Sequence, residues 1–186
     1  MNRFASVFEL VTNALERTGM RYVVVGSVAA THWGLLRSTI DIDLVLLVPP
    51  TGSDLLISEL REAGLYLPIE SAQTALRSTG SFNVLDTSTS GKVDVFVCDP
   101  HDEFESMRLE RRVQVDIMGT RAWIATAEDI ILSKLRWSTT SHSQVQWRDC
   151  LEIAAVNELD VEHLRIWARV IGVSDELERL LASVPE

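Results

Sequence analysis

The feature that most constrains the fold is a pair of acidic residues at the start of an apolar strand. The segment Ile40–Val48 reads IDIDLVLLV, and because side chains alternate along a strand, Asp41 and Asp43 share one face. The other residues are apolar on both faces, which predicts a strand buried on both sides. Two like charges at the end of such a strand are costly unless something compensates them, and a divalent cation is the simplest compensator.

A glycine-serine step precedes the acidic pair. The apolar strand Tyr22–Val25 ends at Gly26-Ser27, and a short helical segment follows. A glycine between strand and helix lets the backbone approach a ligand, and the start of the helix offers N–H groups to a phosphate. The alternative is an ordinary strand–turn–helix–strand unit with two surface aspartates. The depletion of aspartate in strands and the apolar neighbours argue against that alternative.

The order of these residues resembles the signature of the DNA polymerase beta-type nucleotidyltransferase superfamily. That signature is a hydrophobic residue, Gly, then Gly or Ser, a short spacer, and Asp-x-Asp or Asp-x-Glu. It matches Gly26-Ser27 followed by Asp41 and Asp43. The string RSTIDIDLVL around the aspartates most resembles small bacterial members, including toxin–antitoxin and abortive-infection nucleotidyltransferases. The resemblance implies Mg²⁺-dependent transfer of a nucleoside monophosphate from an NTP to an acceptor hydroxyl, with Mn²⁺ as an alternative metal. In that scheme Asp41 and Asp43 are catalytic metal ligands.

The family pattern also places a third acid on a neighbouring strand. The predicted strand 92–98 supplies Asp94, which shares its face with Lys92 and Phe96. The resemblance implies that Asp94 acts on the acceptor side, as metal ligand or general base. A solvated strand face is the alternative. Asp116 is the runner-up, although its polar strand neighbours favour an outer face.

Nucleotide-binding residues are assigned by the same resemblance, beginning with Gly26 and Ser27. Arg37 and Thr39 flank the entry to the acidic strand, and a guanidinium can bind phosphate bidentately; a loop arginine in water is the alternative. The string EDIILSKL resembles the helix that carries a lysine toward the triphosphate, here Lys134. Asp149, in the Arg-Asp pair on the next helix, could orient Lys134 or a metal-bound water. An isolated helix lysine is more often solvated.

Periodicity and turn residues predict an α+β fold, a nucleotidyltransferase-like mixed β-sheet with flanking helices followed by a small C-terminal helical region. The predicted domains are a catalytic α/β core over 1–125 and a helical subdomain over 126–186, which opens with a capping box at Thr126 and Asp129. The predicted helices cover about 3–18, 28–35, 53–62, 127–137, 143–156, 161–171 and 174–182. The predicted strands cover about 21–25, 40–48, 81–86, 92–98, 112–117 and 121–125.

Composition limits the partners. A net charge of −10 over 186 residues argues against broad electrostatic capture of nucleic acid, but not against one local basic groove. The N-terminus lacks a signal-peptide core, and no apolar run approaches the ~18 residues of a membrane span. Cys98 and Cys150 have no metal-ligand spacing and are interpreted as free thiols of a cytoplasmic protein. The five tryptophans are interpreted as core residues.

The acceptor remains open at this level. A tRNA end, a protein hydroxyl and a small hydroxylated compound such as an aminoglycoside are all compatible with the signature. The toxin-like resemblance adds a cognate antitoxin as a partner. The rival hypothesis is a non-catalytic interaction module of the same fold, an antitoxin partner or nucleotide sensor. The presence of Asp41, Asp43 and Asp94 weighs against that rival.

Overall fold

The computed structural model describes residues 3–36, 41–48, 52–141 and 143–184. In chain order the elements of this part are α1 (Arg3–Arg17), β1 (Arg21–Val25), α2 (Gly26–His32), β2 (Ile42–Leu47), α3 (Ser53–Glu62), α4 (Ile69–Arg77), β3 (Gly80–Asp86), β4 (Gly91–Val97), α5 (Glu103–Arg111), β5 (Val113–Ile117), β6 (Thr120–Ile124), α6 (Ala127–Ser141), α7 (Gln144–Val156), α8 (Val161–Ile171) and α9 (Ser174–Ser183). This arrangement confirms the predicted α+β class.

Across the described residues the strands form a six-stranded mixed sheet in the order β3-β4-β2-β1-β6-β5. β2 lies between β1, with which it is antiparallel, and β4, with which it is parallel. In the parallel ladder Asp43 lies beside Asp94. The segment between β2 and β4 passes through helices before it returns to the sheet. It thereby brings Asp43 and Asp94, which are distant in sequence, to adjacent positions.

The core forms between the sheet and α1. The helix buries Val7, Phe8, Val11 and Leu15, whose spacing is that of one helical face. The central strands bury apolar side chains on both faces, as the sequence of β2 predicts. Burial of each large apolar side chain contributes about 1.5–3 kcal/mol, so the sheet is a rigid support for whatever its strand ends carry.

Two helices were not predicted from the sequence. α4 follows Pro68, the residue at its N-cap. α5 begins after Asp102, whose carboxylate accepts hydrogen bonds from the N–H groups of Phe104 and Glu105. The nine residues of α5 are mostly polar, so hydrophobic periodicity gives little signal there. The usable signal was the capping aspartate itself.

The C-terminal helices meet the predicted capping box only in part. The N–H of Asp129 donates to Thr126 Oγ1 over 3.3 Å, as the motif requires. The Asp129 carboxylate instead accepts from His163 Nε2 of α8 at 2.9 Å, because it is fully buried and faces the neighbouring helix. α6 also runs four residues beyond its predicted end at Trp137, to Ser141. The domain division at 125/126 stays a prediction.

The N-terminal and C-terminal parts are joined by side-chain hydrogen bonds around one tryptophan. Trp33 Nε1 donates to the carbonyl of Ala125 at 2.8 Å, and Asn157 Nδ2 donates to the carbonyl of Trp33 at 2.8 Å. Among the described helices, none has the length and apolar character needed to cross a membrane.

Candidate active site

The three predicted aspartates gather where β2 begins, beside the middle of β4. Asp43 and Asp94 occupy paired positions on these parallel strands, and Asp41 lies just before β2 with an exposed side chain. Burial raises the pKa of the Asp43 carboxyl, and the negative charges of Asp94 and Asp41 raise that pKa further. The cluster is therefore a region of concentrated negative charge on two neighbouring interior strands of the sheet.

A lysine that the sequence analysis gave no role lies within this cluster. Lys92 Nζ is 2.8 Å from Asp94 Oδ2 and 3.5 Å from Asp41 Oδ1. The hydrogen bond to Asp94 is the largest cause of the raised pKa of the Lys92 ammonium. The signal was visible in the sequence, because Lys92 and Asp94 are two residues apart on one face of a strand.

Gly26 forms the floor beneath Asp43. Its φ is +63°, and a Cβ built on it would overlap Asp43 Oδ2. Glycine is needed here both for the left-handed backbone and for the space. The sequence predicted that Gly26 allows a close approach, and the group that approaches is the Asp43 carboxylate.

A cavity of about 310 Å³ opens beside Asp43. Its walls come from β1, α2, β2, β4, α5, α6 and α7, with the lining residues Val25, Gly26, Ser27, Asp43, Phe96, Arg108, Ile130, Ser133, Lys134, Trp137 and Gln146. The structure thus brings together four of the predicted site residues, Gly26, Ser27, Asp43 and Lys134, in one cavity.

Lys134 is buried rather than solvated. Its Nζ lies 2.7 Å from Asp149 Oδ2 and donates to Gln146 Oε1 at 3.0 Å. Asp149 is fully buried on α7. The predicted partnership of Asp149 with Lys134 therefore corresponds to a buried ion pair that holds the ammonium at the cavity wall.

Other lining residues were missed from the sequence. Arg108 of α5 is buried, donates to Ser133 Oγ at 3.0 Å and is ion-paired with Glu105. Its helix was not predicted, so its position was not either. The interpretation of Trp137 as a core residue is wrong, because 62% of it is exposed at the cavity mouth; Phe96 is also exposed.

The remaining candidates lie elsewhere. Arg37 and Thr39 fall outside the described residues, so their assignment stays a prediction. Asp116 is exposed and accepts from the N–H of Gly119 in the β5–β6 turn, consistent with the outer face expected for it. Cys98 and Cys150 are free thiols whose burial raises their pKa values to about 11 and 12, so both are protonated near neutral pH.

The donor set can be tested against a divalent cation. In the part of the chain that the structure describes, no group of three His, Cys, Asp or Glu side chains is arranged to hold a metal ion by itself. Lys92 already compensates Asp41 and Asp94. Burial and the charges of Asp94 and Asp41 nevertheless raise the pKa of the Asp43 carboxyl, although Lys92 and Lys134 act in the opposite direction, and Asp43 lies beside Asp94. Two carboxylates fit Mg²⁺, which completes its shell with substrate phosphate and water.

The chain is similar to known proteins in structure rather than in sequence. No protein-family model matches the chain, and no curated protein matches it. The antibiotic-resistance factor ANT(2'')-Ia superposes with a TM-score of 0.57 at 12% identity, over 94% of this chain and 96% of that one.

Two further structures agree with this similarity. ANT(2'')-Ia in complex with adenylyl-2''-tobramycin gives a TM-score of 0.56 at 15% identity, over 89% of this chain and 97% of that one. An antigenic nucleotidyltransferase-like protein from Paracoccidioides brasiliensis gives 0.52 at 17% identity, over 97% and 94%. Identities this low show the shared architecture alone. The chain therefore has a nucleotidyltransferase fold, the fold predicted by the resemblance of Gly26–Asp43 to the DNA polymerase beta-type superfamily.

Proposed function

We propose that the protein is a Mg²⁺-dependent nucleotidyltransferase that moves a nucleoside monophosphate from an NTP to an acceptor hydroxyl and releases pyrophosphate. The observation that carries the proposal is the placement of Asp43 beside Asp94 on parallel strands, over Gly26 and next to a cavity that also contains Lys134. A surface carboxylate pair would need neither a glycine floor nor a buried lysine nearby.

The carboxylates would hold the metal and serve the acceptor. Asp43 and Asp94, with Asp41 at the rim, would bind Mg²⁺, which when bound neutralises phosphate charge. The acceptor oxygen bonds to the α-phosphorus as the bond from that phosphorus to the bridging oxygen breaks, and pyrophosphate leaves with the electron pair. Asp94 would accept the proton of the acceptor hydroxyl. Positioning and charge neutralisation supply most of the rate in such chemistry.

The phosphates would lie between the strand ends and α6. Lys134 is fixed by Asp149 and Gln146, so little side-chain freedom is lost when it binds an anion. The backbone N–H groups at Gly26-Ser27 would add hydrogen bonds to phosphate oxygens. Arg37 and Thr39 belong to the proposal through the sequence resemblance.

The base would lie at the cavity mouth. Phe96 and Trp137 present exposed aromatic surface there. Stacking of a base on an aromatic side chain is worth about 1–3 kcal/mol and tolerates different bases. This contact would hold the nucleotide without strong selection among the four NTPs.

The acceptor classes are a tRNA end, a protein hydroxyl and a small hydroxylated compound. ANT(2'')-Ia has been solved with an adenylyl-aminoglycoside, which supports including aminoglycosides in the test. The net charge of −10 disfavours RNA unless basic residues gather locally. The toxin-like sequence resemblance makes growth arrest on expression, relieved by a cognate antitoxin, part of the same proposal.

The test is label transfer from each α-³²P-NTP with Mg²⁺ or Mn²⁺, offered with a tRNA pool, cell protein and an aminoglycoside panel. We expect labelled product in one class and none from Asp43→Asn. Asp116→Asn is the matched control, because it removes an exposed carboxylate that does not line the cavity, and it should retain full transfer. Equal transfer by Asp43→Asn would overturn the site. Nucleotide binding without transfer to any class would favour the non-catalytic module.

A further inference from the structure

The two lysines of the chain both lie at the candidate active site. Of the 17 basic residues, only Lys92 and Lys134 are lysines, and the rest are arginines. Lys134 lines the cavity and is paired with Asp149. Lys92 lies between Asp41 and Asp94. A lysine ammonium is a compact point charge, whereas a guanidinium is a planar fork, so these are the basic residues of the chain most similar to a metal ion in shape.

Lys92 makes contacts of the kind that a cation would make. Its ammonium is 2.8 Å from Asp94 Oδ2 and 3.5 Å from Asp41 Oδ1, and so bridges a carboxylate of β4 and one that lies just before β2. Its backbone is fixed in the middle of the sheet, because β4 is paired with β2 on one side and β3 on the other. The ammonium is therefore built into the acidic cluster.

We propose that Lys92 takes the place of a second divalent cation, so that the site binds one metal ion, at Asp43 and Asp94. The inference rests on the proposed nucleotidyl transfer. Two-metal phosphoryl-transfer sites place their ions about 3.5–4 Å apart. A second ion between Asp41 and Asp94 would meet the ammonium at contact distance, and like charges at that distance repel strongly.

The role of the ammonium follows from its partners. Lys92 holds one oxygen of the Asp94 carboxylate through a hydrogen bond and so fixes the orientation of that group towards the metal and the acceptor. It also places a positive charge where the acceptor oxygen gains negative charge as its proton leaves. Lys92 thus performs with a side chain what the second ion performs in a two-metal site.

The direct test is the number of Mn²⁺ ions bound per chain, measured from the electron paramagnetic resonance signal of free Mn²⁺. The full wild-type chain should bind one ion. Lys92→Gln, which keeps a polar side chain one atom shorter and removes the charge, should bind two. Lys92→Arg keeps the charge and should bind one. Arg77→Gln removes an exposed charge on α4, should also bind one, and controls for the change in net charge.

The outcomes separate this inference from the proposed function. Two ions on the wild type, or one ion on both the wild type and folded Lys92→Gln, overturn the inference and leave the metal-dependent transferase in place. No ion on the wild type overturns both. One ion on Lys92→Gln and none on the wild type would mean that Lys92 replaces the sole metal, which also overturns the inference.

Amine labelling gives a second readout that does not depend on activity. Acetylation followed by mass spectrometry reports on Lys92 directly, because the chain offers only two lysines besides its N-terminus. If Lys92 stays in the site, saturating Mn²⁺ should leave its labelling rate unchanged within about twofold. A severalfold rise would show that the metal displaces Lys92, and would overturn the inference.

Discussion

Two lysine–carboxylate pairs of nearly equal length differ in what surrounds them. Lys134 and Asp149 are 2.7 Å apart with side chains 8% and 1% exposed. Lys92 and Asp94 are 2.8 Å apart with side chains 35% and 19% exposed. The distance hardly distinguishes the pairs, so burial decides their energetics. Breaking a buried pair strands a charge away from water, whereas solvent screens an exposed one.

The difference also separates two jobs. Lys134 is on α6, and its ammonium contacts both Asp149 and Gln146 of α7, so two contacts hold it in place. Lys92 has a partly exposed side chain on an interior strand of the sheet, beside carboxylates with more charge than it neutralises. We therefore expect Lys134 to hold the phosphates in a fixed position, and the stability of the acidic cluster around Lys92 to depend on bound metal. The buried pair should therefore contribute more than the exposed pair to the free energy of unfolding without metal.

Asp149→Asn should lower the free energy of unfolding without metal more than any other substitution proposed for the site. It leaves the Lys134 ammonium buried without its counter-charge, which costs about 3–5 kcal/mol. Urea unfolding of wild type and variant measures the loss. The matched control is Glu178→Gln, which breaks an exposed ion pair of the same 2.7 Å length with Arg165 and should cost far less, because solvent screens that pair. Similar losses in the two variants would remove burial as the distinguishing factor.

Gly26→Ala should come second. An alanine at φ +63° pays for a left-handed backbone, about 1–2 kcal/mol, and its Cβ overlaps the Asp43 carboxylate. Gly19→Ala is the control, because Gly19 has φ +65° and nothing within 4 Å of the added Cβ. The difference between the two variants in unfolding free energy measures the overlap alone. Only Gly26→Ala should weaken Mn²⁺ binding; an equal loss of binding in Gly19→Ala would contradict the floor role.

Asp94→Asn should change metal-free stability by less than about 1 kcal/mol, because its pair with Lys92 is exposed. Label transfer should nevertheless fall by ~10²-fold or more, the effect that mispositioned reacting groups produce. Stability is read by urea unfolding, and transfer with the labelled NTPs. A loss of stability as large as that of Asp149→Asn would show that the two pairs are alike after all.

The acidic strand was predictable because its signals are local. Alternation placed Asp41 and Asp43 on one face, and the apolar remainder of the strand predicted burial. The position of Gly26 between a strand and a helix predicted a close approach to the backbone, which is also a local signal. The helices α4 and α5 were not predicted because each is short and offers few apolar residues at helical spacing. Their start signals, Pro68 and Asp102, precede mostly polar residues.

The cavity was less predictable because it depends on pairings that no local pattern encodes. The parallel ladder of β2 with β4 puts Asp43 beside Asp94, and the sequence gives no register for strands so far apart. Arg108 reaches the wall from an unpredicted helix. Lys134 and Asp149 were named through the family resemblance, while their burial follows only from how α6 packs on α7.

The smallest expected effect on stability is that of Asp43→Asn, and it is a gain rather than a loss. Asp43 has a raised pKa because burial and neighbouring carboxylates penalise its charge. The native state therefore binds the proton more tightly than the unfolded state, so this group lowers stability as pH rises from the unfolded value of about 4 through the raised native value. Asp43→Asn removes the penalty and should raise the metal-free melting temperature at pH 7 by a few degrees at most, with the gain vanishing on acidification below pH about 4.

With a divalent cation bound, the wild type should instead be more stable than Asp43→Asn. Mg²⁺ with NTP stabilises the wild type by binding the native state, and Asp43→Asn should lose most of that gain. Thermal melts of both proteins at pH 7 and at pH about 4, with and without Mg²⁺ and NTP, measure the four differences. Asp116→Asn serves again as the exposed-carboxylate control and should keep the metal response. If Asp43→Asn is destabilised equally in all conditions and still responds to metal, Asp43 is a structural partner of a cation such as Lys92 rather than the metal ligand.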